Sequence, residues 1–252
     1  MASKVNSLPI ADPHTHILPK MDDGSKNVEE SLNLLRKLKE QNVACVAATP
    51  HFYSNRVKFE EFLRRREKSY AALRAEYTPE LPEIRLGAEV TYFTGISHSE
   101  EVLELKIEGT PLLLVEMPFS PWSQQTVSEI AELNYSGKAR VLLAHIERYQ
   151  AFQRPAVWRF LLESGILMQS NADHMLSWYG KRRGIRMFRE GRLHVLGSDC
   201  HSMDRRPPKL GEAKEELAES DAEDVIEELN RFYRYFFVPK TPSSVSEKEK
   251  TE

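Results

Sequence analysis

The sequence predicts a single α/β domain built as a TIM-like barrel, and three observations carry that expectation. Short apolar runs alternate with longer segments of helical periodicity, the 252-residue length suits one such barrel, and polar residues stand where almost every apolar run stops. The runs at 43–49, 84–90, 112–117, 141–145, 166–170 and 194–198 read as buried parallel strands. With a strand that must precede His14, they make about seven βα units. Pattern alone also allows an open doubly wound sheet. The polar strand ends favour closure, because a barrel gathers them on one face whereas an open sheet spreads them along a line.

Taken in order, His14 and His16 end the first strand and, being two apart, project the same way. Val28, Leu32, Leu35 and Leu38 then share one helix face. His51 follows the second strand, a helical pattern covers 59–77, and Glu89 and Glu116 close the third and fourth strands. Helical patterns return at 123–136, 155–164 and 176–190, between strands that end at His145 and Asn171; the last strand runs into Asp199 and His201. No repeat or internal linker interrupts residues 1–239, so one domain is expected there. Residues 240–252 (KTPSSVSEKEKTE) are polar and aperiodic and are expected to be a disordered tail. Just before it, DVIEELNRFYRYFFVPK is helical in pattern, suited to packing across the barrel or to a subunit contact, so homo-oligomerisation stays open.

Hydrophobic residues at 40% and charged residues at 29% describe a soluble globular chain with a sizeable core. A formal net charge of -3 gives no global attraction to nucleic acid or anionic lipid, so neither a nucleic-acid partner nor membrane insertion is expected, and any phosphate site must be local. The two cysteines, Cys45 and Cys200, are too few for a disulfide framework. Reduced thiols, no apolar leader and no run of membrane-spanning length point to the cytoplasm.

A lone His-x-His pair is more often incidental than ligating. Here it stands in a series of strand-end imidazoles and carboxylates, the donor types that bind Zn, Mn or Fe and that allow two or three ions to share carboxylates. Glu89 and Glu116 each close an apolar run, where an unpartnered carboxylate would be costly. Cys200 and Arg206 also satisfy the Cys-x5-Arg spacing of thiol-based phosphatases. The intervening HSMDR lacks glycine, and Asp199 would raise the thiol pKa, so chance spacing is preferred.

The segments DPHTHILPKMDDG (12–24), ATPH (48–51), GAEV (87–90), VEMP (115–118), AHIERY (144–149) and SDCHSMDRRPP (198–208) resemble, in order, the motifs of the PHP (polymerase and histidinol phosphatase) superfamily. Within it the chain is most similar to the manganese-dependent protein tyrosine phosphatases of bacterial capsule and exopolysaccharide operons. That resemblance implies a distorted (β/α)7 barrel with a metal cluster at the C-terminal strand ends. It implies one ion on His14, His16, Glu89 and Asp199, a second on Glu89, Glu116 and His145, and a third on Asp23, His51 and His201, with Asp22 as the alternative to Asp23. The cofactors implied are two or three divalent ions, manganese foremost, with iron, cobalt or zinc compatible. Arg148 and Arg206 match family arginines, and their planar forks suit a phosphoryl group. Related sequences often carry His or Arg after the position of His51; this chain has Phe52, so substrate contacts there do not carry over.

The implied reaction is hydrolysis of protein phosphotyrosine by metal-activated hydroxide, with the tail of a bacterial tyrosine autokinase as partner. Phe52, Tyr53, Phe119, Trp122 and Tyr149 follow strand ends and either line a cleft for the tyrosyl ring or pack in the core. Asp173 and His174 are considered as proton donors and not assigned. The alternatives are a histidinol-phosphate or other small-molecule phosphatase, a phosphodiesterase on the same scaffold, and a non-catalytic barrel that binds phosphorylated tails.

Overall fold

Nine strand segments form a curled, wholly parallel wall in a computed structural model that describes residues 7–239. They are β1 Ile10–Thr15, β2 Val43–Ala48, β3 His51–Phe52, β4 Glu83–Leu86, β5 Glu89–Thr91, β6 Leu112–Glu116, β7 Arg140–Leu143, β8 Leu167–Asn171 and β9 Val195–Gly197. Two expected strands are each broken in two. The second splits at Thr49-Pro50, where proline cannot donate to a ladder, and the third at Gly87-Ala88. Bonds from Gly87 N–H to the Ala48 carbonyl (2.9 Å) and from Glu89 N–H to the Pro50 carbonyl (3.1 Å) carry the ladder across both breaks. The segments therefore act as seven staves, divided between the orders β1-β2-β4 and β3-β5-β6-β7-β8-β9.

The ring closes between the first strand and the residues after the last. Thr15 bridges Cys200 in parallel, Asp199 N–H donates to the His14 carbonyl at 2.9 Å, and His16 N–H donates to the Cys200 carbonyl at 2.9 Å. The alternative of an open sheet is thereby removed.

Helices α1 Val28–Glu40, α2 Phe59–Arg74, α3 Gln124–Tyr135, α4 Pro155–Glu163 and α5 Trp178–Arg189 match the sequence periodicities to within a few residues. Local chemistry sets their starts. The Asn27 side chain caps α1, Ser123 caps α3, Pro155 opens α4 and Ser177 caps α5. The helices bury apolar residues, from the stripe Leu32, Leu35 and Leu38 of α1 to Leu161 alone in α4, beside strands whose residues are buried on both faces, as in β6. Between β5 and β6 the connection is short 3-10 turns at Ile96–His98 and Glu101–Leu105.

Helices α6 Leu210–Ala218 and α7 Glu223–Phe236 complete the described chain. Val225, Ile226, Leu229 and Phe232 of α7 are buried, and Asn230 donates to the Pro9 carbonyl at 2.6 Å, so this helix packs on the barrel at the start of β1. The tail expected at 240–252 lies outside the described residues. Among the described residues, no helix is long and apolar enough to cross a membrane.

Candidate metal centre

Parallel staves bring all nine candidate ligands to one mouth of the barrel. His14 and His16 come from β1 and the residue after it, His51 and Glu89 are register partners at the starts of β3 and β5, Glu116 ends β6, and His145, Asp199 and His201 follow β7 and β9. Asp23 reaches in from the loop before α1. All are buried except the exposed Asp23 and the partly exposed His51.

The donor atoms are spaced as an ion requires. His14 Nε2 lies 3.2 Å from His16 Nε2, 3.2 Å from Glu89 Oε2 and 3.4 Å from Asp199 Oδ1, and His16 Nε2 lies 3.4 Å from both carboxylate oxygens. Ligands held at roughly 2.0–2.2 Å around one ion stand about 3.0–3.5 Å apart. The second oxygen of Glu89 faces elsewhere, 2.9 Å from His145 Nε2, which is also 3.5 Å from Glu116 Oε1. Asp23 Oδ1 stands 3.4 Å from His201 Nε2 and 3.6 Å from His51 Nε2. His16 joins these three residues, with ligand atoms all within 4.8 Å of one another, an addition the sequence did not suggest. His51 also approaches the centre, its Nδ1 being 3.0 Å from Glu89 Oε2.

Two orphaned atoms test whether divalent ions fit. Glu89 Oε2 and His51 Nδ1 are buried without a hydrogen-bond partner despite their closeness, so their lone pairs converge without satisfying each other. Burial alone favours a neutral Glu89, yet His14, His145 and His16 outweigh it and hold the carboxyl well below its ordinary range. Asp199 is held low against burial by His14 and His16. Conversely, burial opposes charge on His14 and His16, but Glu89 and Asp199 push the first pKa up, and Asp22 and Asp199 push the second up further. These carboxylates demand positive charge at that spot, and a divalent cation supplies it while leaving the imidazoles neutral, as ligation requires. The residues fit the ions.

A shell of neighbours orients the donors. Asp22 Oδ2 lies 2.7 Å from His16 Nδ1 and accepts from His51 N–H at 3.0 Å, so Asp22 steers His16, and Asp23 is the member that faces the cluster. Gln169 Oε1 sits 3.2 Å from His14 Nδ1 and accepts from His145 N–H. The Tyr149 hydroxyl is 3.0 Å from His145 Nδ1, and Asn171 donates to Asp199 Oδ2 at 2.8 Å. Gly24 closes over the first strand end, where an added Cβ would stand 2.3 Å from the His16 carbonyl oxygen. His145 (φ 31°) and Asp199 (φ 51°) adopt the left-handed backbone that non-glycine residues rarely take, a strain typical of functional sites. Of these neighbours, Asp22 and Asn171 stand out in the sequence, as an alternative ligand and a polar strand end, whereas the glutamine inside the run ILMQS is not singled out there.

Arg148 and Arg206 converge on Asp199 Oδ2, the former at 2.8 Å, with about a third of each side chain exposed at the mouth. Arg206 also lies 2.9 Å from His201 Nε2. The aromatics divide. Phe119 is 51% exposed and stacks on His145 at 6.0 Å, and partly exposed Tyr53 lies 5.2 Å from the His51 ring. Phe52 is core, packed on Phe59 and Phe62, and Tyr149 is fully buried, so both take the core packing that was the other reading of them; Trp122 is half-buried and packs edge-on against Tyr149 and Trp158. No hydrogen bond or ion pair among the described residues joins the side chains of Asp173 or His174 to the cluster. Cys200 is fully buried, and burial, reinforced by Asp12, pushes its thiol up to about 12, which removes the thiolate reading.

Fold and donor set together define a class, an α/β barrel bearing an imidazole–carboxylate cluster suited to divalent ions. The family model for capsular polysaccharide synthesis, CpsB/CapC, matches residues 10–232, and the chain belongs to that family. It is 30% identical over 213 residues to the tyrosine-protein phosphatase CpsB of Streptococcus agalactiae, spanning 80% of this chain and 87% of the relative. It is 29% identical over 234 residues to CpsB of Streptococcus pneumoniae, spanning 86% and 93%. A solved structure from work on YwqE of Bacillus subtilis and CpsB of S. pneumoniae, described as unique metal-dependent tyrosine phosphatases, matches with a TM-score of 0.72 at 20% identity, covering 92% of this chain and 96% of that one.

Proposed function

We propose that the chain is a metal-dependent phosphomonoesterase that hydrolyses protein phosphotyrosine in capsule or exopolysaccharide synthesis. The observation that carries this reading is the shared carboxylate: Glu89 turns one oxygen to His14 and His16 and the other to His145, with two arginines beside it on Asp199. The names of the relatives support the substrate.

His14, His16, Glu89 and Asp199 would hold one ion, Glu89, Glu116 and His145 a second, and Asp23, His51 and His201 a third. Manganese is our assignment, by family resemblance; iron, cobalt and zinc suit the same donors. When bound, such ions supply hydroxide near neutral pH and neutralise phosphoryl oxygens during in-line attack. Arg148 and Arg206 grip the phosphoryl group with the guanidinium N–H donors not spent on Asp199 or, for Arg206, on His201. Phe119 and Tyr53 offer ring faces to the tyrosyl group beside His145 and His51. A phenol, with pKa of about 10, leaves without a strong general acid, so neither Asp173 nor His174 is needed as a proton donor.

The partner is a tyrosine-phosphorylated protein, and by resemblance the tail of a bacterial tyrosine autokinase in the cytoplasm. The test is turnover of a phosphotyrosine peptide, a phosphoserine peptide and histidinol phosphate, with and without chelator, alongside metal analysis. We expect the phosphotyrosine peptide to be preferred, with activity abolished by chelation and restored by manganese. Activity that survives chelation with the ions removed refutes the metal reading, and preference for histidinol phosphate moves the assignment to a small-molecule phosphatase.

A further inference from the structure

Helix α5 carries Lys181, Arg182, Arg183, Arg186 and Arg189 and no acidic residue, in a chain where acids outnumber bases 38 to 35. Two of these cations are committed, Lys181 to Glu216 and Arg189 to both oxygens of Asp224. Arg182, Arg183 and Arg186 have no carboxylate partner among the described residues. Arg182 instead lies over Trp178, and Arg183 donates to the Tyr179 hydroxyl at 2.7 Å; those aromatic side chains are 70% and 60% exposed. Unpaired guanidiniums on an otherwise slightly acidic surface concentrate positive potential there.

Beside this stripe runs a groove of about 420 Å³ between α4 and α5, walled by Trp158, Arg159, Arg183, Met187 and Arg192, with Glu163 as an opposing charge. Its upper wall includes Gln150, whose amide lies 3.7 Å from Met187 Sδ. Gln150 follows Arg148 by two residues, so the groove begins at the loop that holds a candidate phosphate arginine. The stripe lies on α5, which begins seven residues after Asn171, the Asp199 partner. A twelve-residue helix is roughly 18 Å long, room for about five or six extended residues.

We infer that this groove and its cationic rim dock an acidic peptide segment flanking the phosphotyrosine. The inference rests on the phosphatase reading and adds a second recognition surface to it. A peptide is favoured over a bilayer by shape: half-buried Arg183 and Trp158 face a concavity that a flat lipid surface cannot enter, whereas an extended chain can. Inside the groove the Trp158 ring supplies apolar contact and Arg183 supplies charge, while Arg182 and Arg186, which line the neighbouring hollow with Trp178, extend the positive charge beyond its edge.

The test compares kcat/KM for a phosphotyrosine peptide with acidic flanks, the same peptide with neutral flanks, and p-nitrophenyl phosphate, using the wild-type chain and the double variant Arg183→Glu/Arg186→Glu. We expect the wild type to favour the acidic peptide by about ten-fold through KM, the preference to vanish in the variant and at about 0.5 M salt, and p-nitrophenyl phosphate turnover to stay unchanged. Binding of the unphosphorylated acidic peptide, read by fluorescence anisotropy, should fall in parallel, and this readout stands even if no phosphopeptide is turned over. Equal use of both peptides by the wild type overturns the inference, as does a variant that keeps the preference or loses all three substrates alike. Loss of binding to phosphatidylserine vesicles with the peptide preference intact would assign the surface to membrane contact instead.

Discussion

Tyr149→Phe removes one oxygen from the centre while keeping the ring that packs on Phe119 and Trp122. That oxygen accepts from Met117 N–H at 3.0 Å and lies 3.0 Å from His145 Nδ1. Leaving the buried Met117 N–H without an acceptor costs about 1–3 kcal/mol, and each kcal/mol lowers Tm by about 2–4 °C in a chain of this size. The larger consequence concerns the tautomer. An Nδ1–H donated to Tyr149 leaves the His145 Nε2 lone pair facing Glu89 and Glu116, and losing such a partner typically weakens metal affinity about 10–100-fold, or about 1.4–2.7 kcal/mol. The assay is activity titrated with manganese. The half-saturating concentration should rise by that factor while kcat at saturation stays within about two-fold of wild type, as befits a positioning residue. An unmoved titration curve refutes the role. A fall in kcat that excess metal does not rescue refutes it differently, by placing the hydroxyl at the substrate.

Three further outcomes are expected. Cys200→Ser should keep turnover within about two-fold of wild type, since the thiol is buried and protonated; collapse of turnover with normal metal content would sink the metal mechanism. Gly24→Ala should destabilise the fold by about 2–3 kcal/mol and lower bound metal on elemental analysis, because the new methyl meets the His16 carbonyl; a normal melt and metal content would show that the loop yields. Lys214 is buried with its ammonium on the Leu8 carbonyl at 3.2 Å, and burial pushes its pKa from 10.5 down to about 8. The unfolded chain keeps that proton to higher pH, so the charge costs stability below about pH 8 and the cost fades as pH rises toward 10.5. Lys214→Met should therefore be more stable than wild type by about 1–2 kcal/mol at pH 7, with the difference gone near pH 10.5; an equal gap in Tm at both pH values would contradict it.

The barrel and its donors were legible for one reason: a buried parallel strand is apolar along its length, so a histidine or carboxylate at its end stands out against the run. His14, Glu89, Glu116 and His145 were all found in this way. What stayed hidden depends on contacts between distant segments. Asp22 and Asp23 are adjacent and chemically equivalent on paper, and only the loop geometry gives the first to His16 Nδ1 and turns the second to His51 and His201. Tyr149 reads equally as a cleft or a core aromatic because nothing local reveals that its hydroxyl reaches back to His145. The break at Gly87-Ala88 was invisible because GAEV continues an apolar run, although the backbone bends there so that Glu89 can pair in register with His51.

The seam of the barrel bears on how the molecule is made. Asp12 of the first stave accepts from Ser198 N–H, 186 positions later, and the donors gathered across that join come from both ends of the fold. Closing so long a loop carries a large entropic cost, and contacts of such separation form late. A chain emerging during synthesis presents His14 and His16 long before Asp199 and His201 exist, and two neighbouring imidazoles alone hold an ion weakly. An ion held by His14, His16 and Asp199 would therefore bind only once the barrel has closed, and would rivet the first stave to the last.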